Sequence, residues 1–177
     1  MASHSSCNST TGCLIIVIEL SKSSNQEFMR TRKAVFLDLQ GTLGGEGLGN
    51  ILEFAFFPGA IEAIRRINHA HLLAILVTNQ SHVAKGLLTM AHFWRRIAEI
   101  KLELAGGKAQ LDAVYCCPHA TQHLCTCQKP QPGMVLQAKR DFHLELDQCY
   151  VVGDSGAWDM ALAKAVGSKA ILVRTGL

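Results

Sequence analysis

The chain lacks an apolar run of membrane-spanning length. Its longest early one, Cys13 to Leu20, falls well short of the ~20 residues that a spanning helix needs. It also lacks the basic segment that should precede a secretory signal core, since the first lysine or arginine is Lys22, after the run. Those two absences set the expectations: no membrane partner, no export, and a cytoplasmic location. A third absence concerns partners. The formal charge is +3, but its basic residues are scattered rather than gathered into the stripe that binds a phosphate backbone, so nucleic acid is not expected either. A small anionic metabolite is the easier partner, and a monomer is expected. No internal repeat or low-complexity segment interrupts the chain, and no large insertion stands out between its elements.

What is present favours one compact domain. The 177 residues leave little room for a second, and 49% hydrophobic against 18% charged residues suffices for a buried core. Residues 1–32 are expected to form an N-terminal extension, either an extra strand or a poorly ordered tail. A sharper alternative starts the natural chain at Met29, where Met-Arg-Thr-Arg-Lys leads directly into the first core strand.

From Lys33 the pattern alternates. Ala34 to Leu37, Leu72 to Val77, Leu111 to Tyr115, Cys149 to Val152 and Ala170 to Val173 read as short buried strands. Between them, helices are expected after Pro58-Gly59, around Phe93 to Leu104 with Thr89 as N-cap, over Gly133 to Phe142 and over Ala157 to Val166. Such alternation predicts an α/β fold with a parallel sheet and helices on both faces. Ligands then bind beyond the carboxyl ends of the strands, where Asp38, Thr78 and Asp154 should converge.

These residue types suit phosphoryl chemistry. A strand-end carboxylate, Asp38, can attack phosphorus, and the Gly41-Thr42 turn after it lets backbone NH groups approach phosphoryl oxygens. Thr78 offers a hydroxyl to the transferring group and Asn79 can help orient it. Lys129 would neutralise charge on nucleophile and phosphate. Asp154, with Asp159 five residues on, suits Mg²⁺, which takes a few carboxylates, waters and substrate phosphate. Asp159 can equally be a helix-start carboxylate or a support for Lys129.

Seven cysteines are an odd count, unevenly placed. Cys117, His119, Cys125 and Cys127 supply three thiolates and an imidazole at short spacing, the donor set of a closed structural Zn²⁺ site within a loop over residues 116–128. Cys116 and His123 are nearby alternatives; Cys7, Cys13 and Cys149 read as bystanders. Zinc here would stiffen the loop that presents Lys129 rather than perform chemistry.

The set Asp38-Leu-Gln-Gly-Thr-Leu43, Thr78-Asn79, Lys129 and Gly153-Asp154 with Asp159 resembles the four motifs of the haloacid-dehalogenase-like (HAD) superfamily, in order. That resemblance implies a Rossmann-like three-layer fold without a large cap domain, Asp38 as nucleophile, and Thr78 and Lys129 as phosphate ligands. It implies Mg²⁺ held by Asp38, the carbonyl of Gln40, and Asp154. The cysteine loop running into Lys129-Pro-x-Pro-Gly-Met134 is similar to the D-glycero-D-manno-heptose 1,7-bisphosphate phosphatases and related histidinol-phosphatases. The likeness spans roughly Lys33 to Leu177 and includes Pro58-Gly59, Val77 to Ser81, Lys85-Gly86 and Val173 to Gly176.

Two positions depart from that pattern. The family carries an acid–base Asp where this chain has Gln40, which donates hydrogen bonds but cannot shuttle a proton. Acid–base assistance is typically worth ~10²–10⁴-fold in rate. Relatives usually have Arg where this chain has Gln128, so a bidentate grip on substrate phosphate is absent. The expected function is a Mg²⁺-dependent phosphatase of a small sugar phosphate, slowed by Gln40. The alternative is an impaired relative that binds phosphorylated ligands or a partner.

Overall fold

The computed structural model describes residues 31–175. Cys7, Cys13, the apolar run after it and Met29 lie outside the described residues. Five strands, β1 (Ala34–Leu37), β2 (Leu73–Asn79), β3 (Ala113–Cys117), β4 (Tyr150–Gly153) and β5 (Lys169–Leu172), form one sheet in the order β3-β2-β1-β4-β5. Every pairing is parallel. Four α-helices connect them: α1 (Ala60–His69), α2 (Met90–Gly106), α3 (Gly133–Phe142) and α4 (Ala161–Val166).

Strand residues alternate between two cores, which is why the strands read as unbroken apolar runs rather than as one-sided patterns. Ala34 and Phe36 join Ile75, Tyr115 and Val151 under Met134 and Val135 of α3 and Leu162 of α4. Val35 and Leu37 join Leu76 and Val114 on the opposite face, under Ile64 of α1 and Phe93, Ile97, Ile100 and Leu104 of α2. Each fully buried side chain of this size stabilises the fold by roughly 1.5–3 kcal/mol relative to exposure. The helices therefore cover both faces, as the alternation of elements predicts.

Element ends differ from the sequence reading for local reasons. β2 continues past Val77 because Thr78 and Asn79 keep pairing with Cys116 and Cys117 of β3. The helix expected over Ala157 to Val166 instead opens with a π-helical turn, Gly156–Met160, and becomes α only from Ala161. Both Asp159 and Met160 donate their NH groups to the Ser155 carbonyl, at 2.9 and 3.2 Å, which widens that first turn. Thr89 caps α2 as expected, its hydroxyl accepting from the His92 NH at 3.1 Å.

The chain moves outward from β1 through β2 to β3, then returns to lay β4 on the other side of β1. The reversal of strand order falls between β1 and β4, so a crevice opens beyond their carboxyl ends. Asp38 follows the last residue of β1 and Asp154 follows the last residue of β4. Among the described residues, no helix is long and apolar enough to cross a membrane.

Candidate active site

A cavity of about 520 Å³ lies in that crevice, lined by Asp38, Gln40, Thr78, Asn79, Lys129, Asp154 and Asp159, with Gly47, Leu48, Ser155 and Trp158 at its margin. Asp38 is held at its backbone by the Val152 carbonyl, which accepts its NH at 3.0 Å. One carboxylate oxygen of Asp38 accepts from the Lys129 ammonium at 2.5 Å, and the other from the Thr42 hydroxyl at 3.2 Å. That hydroxyl also stands 3.4 Å from Asp154, tying the carboxylates after β1 and β4 to one group. The turn between them requires glycine: Gly41 has φ +82°, and a Cβ there would collide with the Asp154 carboxylate.

Lys129 is buried to 3% exposure, and Asp159 to 1%. Its ammonium donates to Asp159 at 2.7 Å as well as to Asp38, so two carboxylates flank one cation. Burial pushes the Asp38 carboxyl above its ordinary value, with Lys129 pulling it down and Asp159 adding to the rise. Burial also opposes the Lys129 charge, but Asp38 and Asp159 outweigh it and hold the ammonium above its usual value. The other oxygen of Asp159 accepts the Ser155 NH at 3.2 Å, so Lys129 and the residue that opens the π-helical turn hold this carboxylate from its two oxygens. Asp159 thus combines two of the roles open to it in the sequence, a first-turn carboxylate and a support for Lys129.

Asn79 holds the Lys129 backbone. Its amide nitrogen donates to the Lys129 carbonyl at 3.1 Å and its oxygen accepts the Lys129 NH at 2.9 Å. Thr78 is 1% exposed, with its hydroxyl 3.0 Å from the Gln80 amide nitrogen. That nitrogen also donates to the Gln40 side-chain oxygen at 2.7 Å, and the Gln40 amide nitrogen donates to the carbonyl of Gly49. Gln40 is therefore pinned between β2 and the glycine-rich loop.

The cysteine cluster closes on itself. Cys117, His119, Cys125 and Cys127 bring their ligand atoms within 4.8 Å of one another. Sulfur–sulfur separations are 3.6 Å (117–125), 3.3 Å (117–127) and 3.5 Å (125–127), and His119 Nδ1 lies 3.6 and 3.2 Å from Cys117 and Cys127. A tetrahedral ion with ordinary Zn–S and Zn–N lengths needs edges of roughly 3.5–3.8 Å, so the four side chains are compatible with such a metal. Burial, and then His123, hold the His119 imidazole below its ordinary value, favouring the neutral ring that a metal takes. Cys116 points into the core on the other face of the sheet, and His123 accepts the Ala120 NH at 3.3 Å, so neither belongs to the group. Cys149 is a core residue, donating to the Glu145 carbonyl at 3.1 Å.

Asp38, Asp154 and Asp159 form a second group with carboxylate oxygens within 4.8 Å. Asp159 is the most deeply buried of the three, at 1% exposure against 8% for Asp38, and Asp154 is more exposed than either.

Residues 126–177 match the HAD-hydrolase-like family. The chain is 38% identical over 154 residues to the D-glycero-beta-D-manno-heptose-1,7-bisphosphate 7-phosphatase of Escherichia coli K12, covering 81% of this chain and 80% of that one. The chain belongs to the HAD-like phosphatases. The phosphatase of the same name from Pasteurella multocida is 36% identical, over 82% of this chain and 83% of its own. Among solved structures, the D,D-heptose 1,7-bisphosphate phosphatase of B. bronchiseptica, complexed with magnesium and phosphate, superposes with a TM-score of 0.76. It is 32% identical, with 81% and 82% of the two chains covered. The corresponding Burkholderia thailandensis enzyme gives a TM-score of 0.63 at 27% identity, covering 82% of this chain and 80% of its own.

Within this HAD-like frame, the fold brings Asp38, Gln40, Thr78, Asn79, Lys129 and Asp154 to one cavity. Gln128 is not among its lining residues; its amide nitrogen faces the His119 carbonyl at 3.4 Å. Sequence reasoning missed Gln80, Thr175, Leu48 and Trp158. Gln80 sits within the quoted Val77 to Ser81 motif and Thr175 within Val173 to Gly176, so both had a signal. Thr175 donates its hydroxyl to the Gly41 carbonyl at 2.7 Å, bracing the turn that follows Asp38. Leu48 and Trp158 reach the cavity only through tertiary placement.

Proposed function

We propose that this chain is a Mg²⁺-dependent phosphatase that hydrolyses a small sugar phosphate through an aspartyl-phosphate on Asp38. The observation that carries the reading is Asp38 itself: a strand-end carboxylate, open to a cavity, with Lys129 on one oxygen and Thr42 on the other. Asp38, the Gln40 carbonyl and Asp154 would hold the Mg²⁺, whose charge would favour the ionised nucleophile and offset the phosphoryl charge. Thr78 and Lys129 would receive the phosphoryl oxygens, and Asn79 would keep Lys129 in register. Asp38 attacks phosphorus as the ester P–O bond breaks; water then attacks the acyl phosphate, freeing orthophosphate and the carboxylate. The alkoxide leaving group draws its proton from water, because Gln40 has none to give. Zn²⁺ on Cys117, His119, Cys125 and Cys127 would hold the loop that leads through Gln128 into Lys129.

Gln40 favours a second reading, an impaired relative that binds phosphorylated ligands. Its side chain is engaged at both ends, by Gln80 and by Gly49, in a way that neither delivers nor takes up a proton.

Phosphate release from a sugar-phosphate panel and an aryl phosphate, with Mg²⁺ present and zinc quantified, separates the two. Release that disappears in Asp38→Asn supports the phosphatase. No release from folded, zinc-replete protein that still binds sugar phosphates supports the second reading.

A further inference from the structure

The cavity around Asp38 contains three carboxylates and a single cation. Asp38, Asp154 and Asp159 face it, and Lys129 is its only lysine; no arginine or histidine lines it among the described residues. The one ammonium is already shared between Asp38 and Asp159 at 2.5 and 2.7 Å. One divalent cation brings the lining to neutrality, and the dianion of a single phosphoryl group then leaves the loaded pocket negative. A second phosphate on the same molecule would find no unpaired cation there and would meet that excess at short range.

The margin offers contacts of another kind. Leu48 is 86% exposed on the glycine-rich loop, and Trp158 is 39% exposed on the π-helical turn. Both border the cavity, as does Ser155. An indole face and a leucine suit the C–H face of a sugar ring, with one hydroxyl for its rim. Gln128, beside Lys129 in sequence, adds no charge and turns its amide to the His119 carbonyl.

We propose that the pocket selects sugar monophosphates over sugar bisphosphates: one phosphoryl group enters at Asp38 and Lys129, and the uncharged ring rests against Trp158 and Leu48. This deepens, and rests on, the phosphatase reading of the same site. It departs from the substrate carried in the names of the bacterial relatives.

The test uses the full chain with Mg²⁺ and a matched pair, a hexose 6-phosphate and the corresponding 1,6-bisphosphate. Turnover of either that is lost in Asp38→Asn supports the phosphatase reading on its own. The inference expects kcat/KM higher for the monophosphate by about tenfold or more, since like charges brought together carry a large penalty. That preference should shrink as salt screens the repulsion. Equal or better turnover of the bisphosphate overturns it. If neither compound turns over, calorimetric binding of both to the unaltered protein with Mg²⁺ decides the matter. Tighter monophosphate binding sustains the selection, and equal or tighter bisphosphate binding ends it. Trp158→Ala should cost more on the hexose phosphate than on acetyl phosphate, which has no ring; an equal loss on both removes Trp158 from sugar recognition.

Discussion

The Gln80 amide nitrogen donates across 2.7 Å to the side-chain oxygen of Gln40. This bond joins the end of β2 to the position where the resemblance to the HAD superfamily implies a proton-transferring carboxylate. Because Gln80 presents a donor, the same geometry would accept an Asp at position 40. Gln40→Asp should therefore fold and raise steady-state phosphate release, by up to ~10²–10⁴-fold if proton transfer limits turnover. A variant that folds and gains nothing would place proton transfer on another group.

Asp159 should matter to both stability and rate. In Asp159→Asn, Lys129 keeps Asp38 as its one carboxylate partner, so the loss should stay below the about 3–5 kcal/mol typical of a buried charge stripped of its partner. Urea titration should show a lower midpoint with unchanged slope, alongside reduced phosphate release. An increase in stability would mean that repulsion between Asp38 and Asp159 outweighs their common attraction to Lys129.

The cysteine loop predicts a metal-dependent fold element. One zinc per chain should be found by atomic emission, and Cys127→Ser should lower that content and the melting temperature together. Cys149→Ser, whose thiol donates to the Glu145 carbonyl in the core, should keep its zinc. Zinc lost from Cys149→Ser, or retained in Cys127→Ser, would refute the four-residue assignment.

Gln128→Arg places a guanidinium one residue from Lys129, with a planar fork suited to phosphate. Its kcat/KM should rise for a sugar bisphosphate more than for the monophosphate. An unchanged ratio between the two would show that residue 128 does not reach the bound sugar.

Much of this site was legible because it follows strand ends. Apolar runs bounded by Asp38, Thr78 and Asp154 fix where a parallel sheet opens, and alternating strands and helices leave few other arrangements. Thr78 nevertheless lies within β2, because pairing with β3 extends beyond the apolar run. The cysteine loop was legible from donor type and spacing alone, which set aside Cys149 and named His119, with Cys116 and His123 as nearby alternatives that fall outside the group. The Gln40–Gln80 contact and the approach of Trp158 were not legible. The first crosses 40 residues and involves side chains without charge or hydrophobic signal. The second depends on a turn that widens into π geometry where a regular helix was expected.

Thr175 closes against Gly41 from 134 residues further along the chain, and β4, which pairs with β1, follows β2 and β3 in sequence. During synthesis, which proceeds from the amino terminus, the β1-β2-β3 half can collapse while the residues that complete the pocket are still to be made. In that interval Asp38 has neither its ammonium partner nor its opposing carboxylate. A nascent chain therefore carries Asp38 long before the residues that complete its cavity, which is closed only by segments made after β3.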